Sequence, residues 1–182
     1  MANERIVLGS GKLYVAEATK NSDGGYTIPE DATLEIDTNL LGYIQGGATL
    51  EYAPSFYTAK DDLGVVSKKY LTEEEATLKS GIMTWNADVL EKLCATGVQT
   101  TTSGTTTLKI GGISNFDNKL YVLRFVHHDA TDGDIKITIV GSNEAGFSLA
   151  FAKDKETVID AEFKAAPMDK NGTLIQVDFL SV

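Results

Sequence analysis

The sequence predicts a mainly β domain with one flanking α-helix and a long protruding β-hairpin. Three observations carry that expectation. Apolar and polar residues alternate with period two through most of the chain. One segment, about residues 87–96, shows helical spacing instead. Two alternating runs, GGATLEYAPSFY and EATLKSGIMTW, flank the charged stretch KDDLGVVSKKYLTEEE at 60–75, which places a hairpin at about 46–85. The chain has 182 residues, 42% hydrophobic and 23% charged, enough for one proper core. Only three prolines occur, so no Pro-rich linker divides it, and a single domain over 1–182 is expected.

Taken in order, GKLYVAEA at 11–18 is the first strand, and NSDGGYTIPED at 21–31 is loop chemistry. ATLEIDTN and LLGYIQGGATLEY continue the extended pattern, with Gly46-Gly47 marking a bulge or bend. In TWNADVLEKLCATG, Asn86 suits an N-cap and Asp88 meets the positive end of the helix dipole. Val89, Leu90, Leu93 and Cys94 then recur on one face, and Gly97 is a natural stop, giving a helix of about three turns. TTTSGTTTLKIGG at 100–112 fits either an exposed strand or a loop. Further strands are expected at 119–128, 134–142, 146–152, 156–165 and 172–182, where Val, Ile, Thr, Tyr and Phe crowd.

The hairpin can be resolved face by face, because side chains alternate along a strand. Ala48, Leu50, Tyr52 and Phe56 share one face with Ala76, Leu78, Ser80 and Ile82, and this apolar face belongs on a core. The other face carries Thr49, Glu51, Ser55 and Tyr57, with Glu73, Glu75, Thr77 and Lys79 opposite, and points to water. Between the two strands, the tip holds charges of both signs, one glycine and little bulk. A lone hairpin of this length needs support from its own sheet, a neighbouring copy or a ligand.

Charge and motifs narrow the function. A net charge of −10 leaves no basic stripe of the kind that neutralises phosphates, which argues against a DNA-reading domain. A single cysteine, Cys94, rules out an internal disulfide framework and reads as a small buried hydrophobe. The opening MANERIVLGSG lacks a signal pattern and no run is long enough to span a bilayer as a helix, so a soluble cytoplasmic product is expected. GSGK at 9–12 fails the phosphate-loop pattern, since Ile6 and Leu13 stand where Gly and Ser or Thr are needed. His127 and His128 are adjacent and face opposite sides of a strand, so they cannot jointly hold a metal. Asp129, Asp132 and Asp134 read as a polar turn rather than a calcium loop, and Asn171-Gly172-Thr173 as a chance glycosylation triplet. No nucleophile elbow occurs, and no catalytic residue, metal or cofactor is expected.

GSGKLYVAE, the loop ending in IPED, and LGYIQGGATLEYAPSFYTAKDDLGVVSKKYLTEEEATLKSGIMTWNADVLEKL together resemble the major tail tube protein of tailed bacteriophages, especially long-tailed phages of Gram-positive hosts. The resemblance covers about residues 9–97 and rests on three features. These are the Gly-Tyr-Ile-Gln-Gly-Gly-Ala approach to a strand, the long hairpin with its charged loop, and Gly-Ile-Met-Thr-Trp-Asn running into a helix. It implies a β-sandwich whose inner sheet joins those of neighbours into a tube-type barrel, six copies to a ring and rings stacked into a hollow tube that conducts DNA. On that basis Lys60, Asp61, Asp62, Lys68 and Lys69 would form the ring-stacking loop, and Glu51, Glu73, Glu75 and Lys79 would face an acidic lumen that DNA does not stick to. The implied partners are copies of itself, the tail tip, tape measure and tail terminator proteins, and DNA in transit. The implied location is the virion tail, assembled in the host bacterial cytoplasm, with no membrane insertion of this chain.

Two other assignments stay open on sequence. One is the inner tube of a contractile tail or tailocin. The other is a monomeric carbohydrate- or surface-binding β-sandwich, for which Tyr52, Phe56, Tyr57 and Tyr70 would be the exposed aromatics. Oligomeric state separates this last class from a tube subunit.

Overall fold

The computed structural model describes residues 6–181, so Met1 to Arg5 and Val182, the end of the last expected strand, lie outside the described residues. In chain order the elements are β1 (Lys12–Glu17), β2 (Thr19–Lys20), β3 (Tyr26–Thr27), α1 (Asp31–Leu34), β4 (Ile44–Lys60), β5 (Ser67–Ile82) and α2 (Ala87–Lys92). They continue with β6 (Gly97–Thr102), β7 (Thr105–Ile110), β8 (Tyr121–His127), β9 (Ile135–Asn143), β10 (Ile159–Ala166) and β11 (Gln176–Phe179). The chain is mainly β, as expected, with a sandwich-compatible antiparallel arrangement. The main sheet runs β1-β8-β9-β10-β5-β4, and β11 adds to β9. One edge of β9 is shared: residues 140–143 pair with β10 and residues 135–138 with β11.

Alternation sorts this sheet into two faces. Leu13 and Val15 of β1, Leu123 and Phe125 of β8, Ile139 of β9, Phe163 of β10, and Leu78 and Ile82 of β5 all enter one core, against which Val89 and Leu93 of α2 pack. Every strand of the β1-to-β5 path contributes, so the sheet must curl around its inner face. Residues 40–43 hold that curl: Leu41 N donates to Leu13 O at 2.9 Å, and Met83 N donates to Tyr43 O at 2.8 Å. Gly42 between them has φ +137°, and a Cβ there would lie 2.2 Å from Thr84 O, so only glycine fits. The curl stops short of a closed barrel within one chain.

The outer face differs along its width. Over β1, β8 and β9 it holds a smaller cluster of Tyr14, Leu34, Val122, Val140 and Met168. Beside that cluster the buried Arg124 and Lys136 meet α1, where Asp31 bonds to both and Glu35 lies 2.7 Å from Lys136 and 3.3 Å from Arg124. Arg124 also donates to Thr138 at 3.0 Å. Two buried cations without partners would be costly, and the two carboxylates offset that cost. Burial works against the Lys136 ammonium, but its hydrogen bonds to Asp31 and Glu35 prevail and raise its pKa. The hydrogen bond to Lys136, with the nearby Arg124 charge, lowers the pKa of Asp31.

Several elements depart from expectation. ATLEIDTN is not a strand but α1 followed by a 3₁₀ turn at Asp37–Asn39, from which Asn39 Nδ2 reaches back to donate to Thr33 O and Leu34 O at the end of α1. The ion cluster beneath it rewards a helical turn that puts Asp31 and Glu35 side by side, so two helices flank the sheet rather than one. Helix α2 starts as expected, with Asn86 Oδ1 accepting from Val89 N at 3.0 Å, but ends at Lys92 and spans six residues rather than 87–96. Gly97 opens β6 instead of closing the helix, and the Thr-rich stretch forms the β6-β7 hairpin about Ser103-Gly104. Residues 146–152 form no strand: Asn143 Nδ2 donates to both Leu93 O and Gly146 O and turns the chain, while Phe147 and Leu149 still pack on the core. Among the described residues of 172–182, only Gln176–Phe179 form a strand, because Asp169 gathers Asn171 and Thr173 into a turn. The Gly46-Gly47 irregularity is present, both residues at positive φ.

Replacing the fully buried Phe163 with alanine should cost about 3–5 kcal/mol of unfolding free energy, read from urea denaturation; a loss under about 1 kcal/mol contradicts the core assignment. A second prediction concerns pH. Because the folded pKa of Asp31 is depressed, its contribution is present above the ordinary carboxylate range near pH 4 and is lost as pH falls through the lower folded value. Asp31→Asn should therefore lower the urea midpoint at neutral pH and flatten its decline in acid, whereas an unchanged acid limb contradicts the cluster's role.

Candidate self-assembly surfaces

β4 and β5 are far longer than their neighbour. β4 pairs with β5 from Ile44 to Lys60, while β10 pairs with β5 only from Thr77 to Ile82. Beyond Tyr52↔Ala76 the two strands continue past the rest of the sheet as an arm, roughly 23 Å from Ala53 to Lys60 at about 3.3 Å per residue. The outer edge of β4 is unpaired among the described residues, and Pro54 sits in it, where a missing N–H does no harm.

The arm contains a bulge that the sequence pattern does not announce. Ser55 opposes Glu73 and Phe56 opposes Leu71, so Thr72 is the extra residue, its hydroxyl donating to Ser55 O at 3.1 Å. Past it the parity of β5 flips. Glu73 and Glu75 share the outer face with Tyr70 and Lys68, while Leu71 and Lys69 join Tyr52 and Phe56 on the inner one. Lys69 Nζ lies 3.8 Å from the Phe56 ring centre, and Lys68 Nζ 4.9 Å from that of Tyr70. The four aromatic candidates are thus split, Tyr52 and Phe56 on one face and Tyr57 and Tyr70 on the other, and they form no common platform.

On the outer face the structure brings Glu51, Glu73, Glu75 and Lys79 together, and adds two groups from β10 that sequence alone did not reach. Lys79 lies 2.9 Å from Glu51 and 3.7 Å from Glu162, and Lys164 lies 2.8 Å from Glu75. These carboxylates hold both ammonium groups above their usual pKa, first through the hydrogen bonds that Lys79 donates to Glu51 and Lys164 to Glu75. With Asp160, and with Lys68 farther along the arm, the face sets five carboxylates against three lysines and stays acidic, though less uniformly than expected. All of these pairs are solvent-exposed and contribute little stability. Their pairing across a long-range register, Glu162 opposite Lys79, carries no local sequence signal.

The five stacking candidates also spread out. Asp61 and Asp62 lie in the connecting loop, Lys60 ends β4, and Lys68 and Lys69 are within β5. Asp61 closes the loop, its carboxylate accepting from Val66 N at 2.7 Å and its carbonyl from Gly64 N at 3.0 Å. The expectation of little bulk fails here: Leu63, Val65 and Val66 are 85%, 79% and 67% exposed, an apolar tip between charges.

At the other end of the sheet lies a groove of about 870 Å³, bounded by the end of α2, the β6-β7 hairpin, residues 116–119 and residues 142–147. Ile110, Phe116 and Phe147 give it apolar walls, and Cys94 lines it half-buried rather than in the core, its thiol pKa pushed up by burial. Among the remaining sequence candidates, His127 is buried with Nδ1 2.8 Å from Ser10 O, and His128 is exposed beside Asp134. Asp129 and Asp134 cap the backbone of the β8-β9 turn.

Trypsin acting on dispersed subunits should cut after Lys60, Lys68 or Lys69 before it cuts after Lys79 or Lys136, because the arm lies beyond the part of the sheet that β10 covers. Early cleavage after Lys79 or Lys136, read by mass spectrometry, contradicts this view of the arm.

No family model matches this chain, and no curated protein shows significant similarity to it. Its function is therefore read from the surfaces described above.

Proposed function

We propose that this chain is a structural subunit that assembles into rings stacked as a hollow tube, the tail tube of a long-tailed, non-contractile bacteriophage. The observation that carries the reading is the arm. A two-stranded ribbon is marginal in water, yet this one extends well past its sheet with apolar side chains on its inner face and tip. Neighbouring copies would cover it. The long outer edge of β4 would likewise be satisfied by pairing between copies, which removes an edge that otherwise invites uncontrolled association. The outer face of β10, β5 and β4, five carboxylates to three lysines, suits a bore through which DNA slides without adhering. The resemblance over residues 9–97 supplies the hexameric ring, the virion location, and the tail tip, tape measure and terminator partners.

Electron microscopy of negatively stained protein over a range of concentrations tests the proposal: hollow rings or tubes are expected, and a uniformly monomeric field at every concentration contradicts it. The lumen assignment has its own test. Glu51→Lys, Glu73→Lys and Glu75→Lys combined should leave tubes intact but impair DNA passage, and unchanged infectivity of virions carrying the triple change would contradict it.

A further inference from the structure

We propose that the tip of the arm seats in the groove behind α2 of a second copy, joining copies head to tail. This rests on the reading that the chain self-assembles, and it names the surface that receives the arm.

The pairing register places tip and groove at opposite ends of the sheet. β5 runs from the tip toward α2. Through β10 it sets the end of β9, Asn143, level with Leu78, and β9 in turn sets Tyr121 of β8 and Glu17 of β1 at that same end. Glu17, Tyr121 and Asn143 all line the groove. The arm points away from them, so a chain cannot fill its own groove, and the contact must be made between copies. A donor at one end and an acceptor at the other form a heterologous interface, the kind that propagates.

The two surfaces match in chemistry. Leu63, Val65 and Val66 present an apolar knob, and Ile110, Phe116 and Phe147 present apolar walls. Exposed Ile113 lies in the same loop as Phe116, at 94% accessibility, and extends the apolar rim. Charge is complementary as well. Residues 60–69 carry three lysines and two aspartates, a net +1. The groove carries Glu17, Glu91, Asp117 and Glu144 against Lys92 and Lys119, a net −2. Because Lys119 is engaged by Glu17 at 3.8 Å and Asp117 at 3.4 Å, Glu144 and Glu91, whose Oε1 also accepts from Gln99 N at 3.3 Å, are the carboxylates placed to meet incoming lysines. Such charges set orientation while the apolar contact supplies most of the affinity.

Disulfide trapping tests the contact directly. Val65→Cys and Phe116→Cys are combined in a Cys94→Ser background, both at exposed positions where folding should tolerate them. Mild oxidation of assembled material should give a ladder of covalent trimers and higher species on a non-reducing gel, since each copy has one tip and one groove. Either cysteine alone should stop at dimers. In parallel, Lys60→Glu with Lys68→Glu should raise the concentration needed for assembly at least about tenfold, and Glu91→Lys with Glu144→Lys should recover it. Rings or tubes in micrographs without a ladder beyond dimers overturn the docking and leave self-assembly standing. Protein that stays monomeric at the highest concentration reached overturns both.

Discussion

The structure turns on a mismatch of strand lengths. β4 and β5 pair over the whole span from Ile44 to Lys60, but β10 covers only six residues of β5. Within the covered part, inner-face side chains reach a core shared by the whole sheet, and Leu78 and Ile82 are fully buried. Past it the same alternation continues without β10 alongside, and Tyr52, which faces residues 171–175, and Phe56 stay about half exposed although their pattern is that of core residues. Hydrophobic burial is proportional to area removed from water, and here the chain forgoes burial that a neighbour could supply.

The same mismatch organises the outer face. Where β1, β8 and β9 stand side by side, α1 and the loops cover it, and Arg124 and Lys136 are buried against paired carboxylates. Toward β10, β5 and β4 no element among the described residues lies over the sheet, and the outer side chains become a solvated, mostly acidic array. One continuous face is thus structural at one side and free at the other. At the end opposite the arm, α2 and the β6-β7 hairpin stand away from residues 116–119 and leave the groove. Arm, edge and groove are the places where the single chain leaves its own surfaces unsatisfied.

How much of this was legible in sequence depends on the range of the interaction involved. Period-two alternation located β1, β8, β9, β10 and the hairpin, because each has one face in a core and the signal is local. Asn86 marked the start of α2 for the same reason, since a cap acts within one turn. The misses are long-range. α1 replaces an expected strand because Asp31 and Glu35 answer Arg124 and Lys136, about a hundred residues away. Residues 146–152 alternate like a strand because Phe147 and Leu149 do bury, yet Asn143 has turned them off the ladder. At the candidate site, the shared face of Glu51, Glu73, Glu75 and Lys79 was readable, whereas the Thr72 bulge and the arrival of Glu162 and Lys164 depended on a register that no single strand encodes.

The most direct test of the central claim, that the arm exists to be covered by other copies, is sedimentation velocity of two proteins across a range of concentrations. One is the native chain. In the other, residues 56–72 are replaced by Asn-Gly, a two-residue turn that closes Ser55 onto Glu73 at the pairing they already make. The native chain should shift to larger species as concentration rises, while the shortened chain remains monomeric with an unchanged unfolding midpoint. Equal assembly by the two proteins, or none by either, would contradict the account.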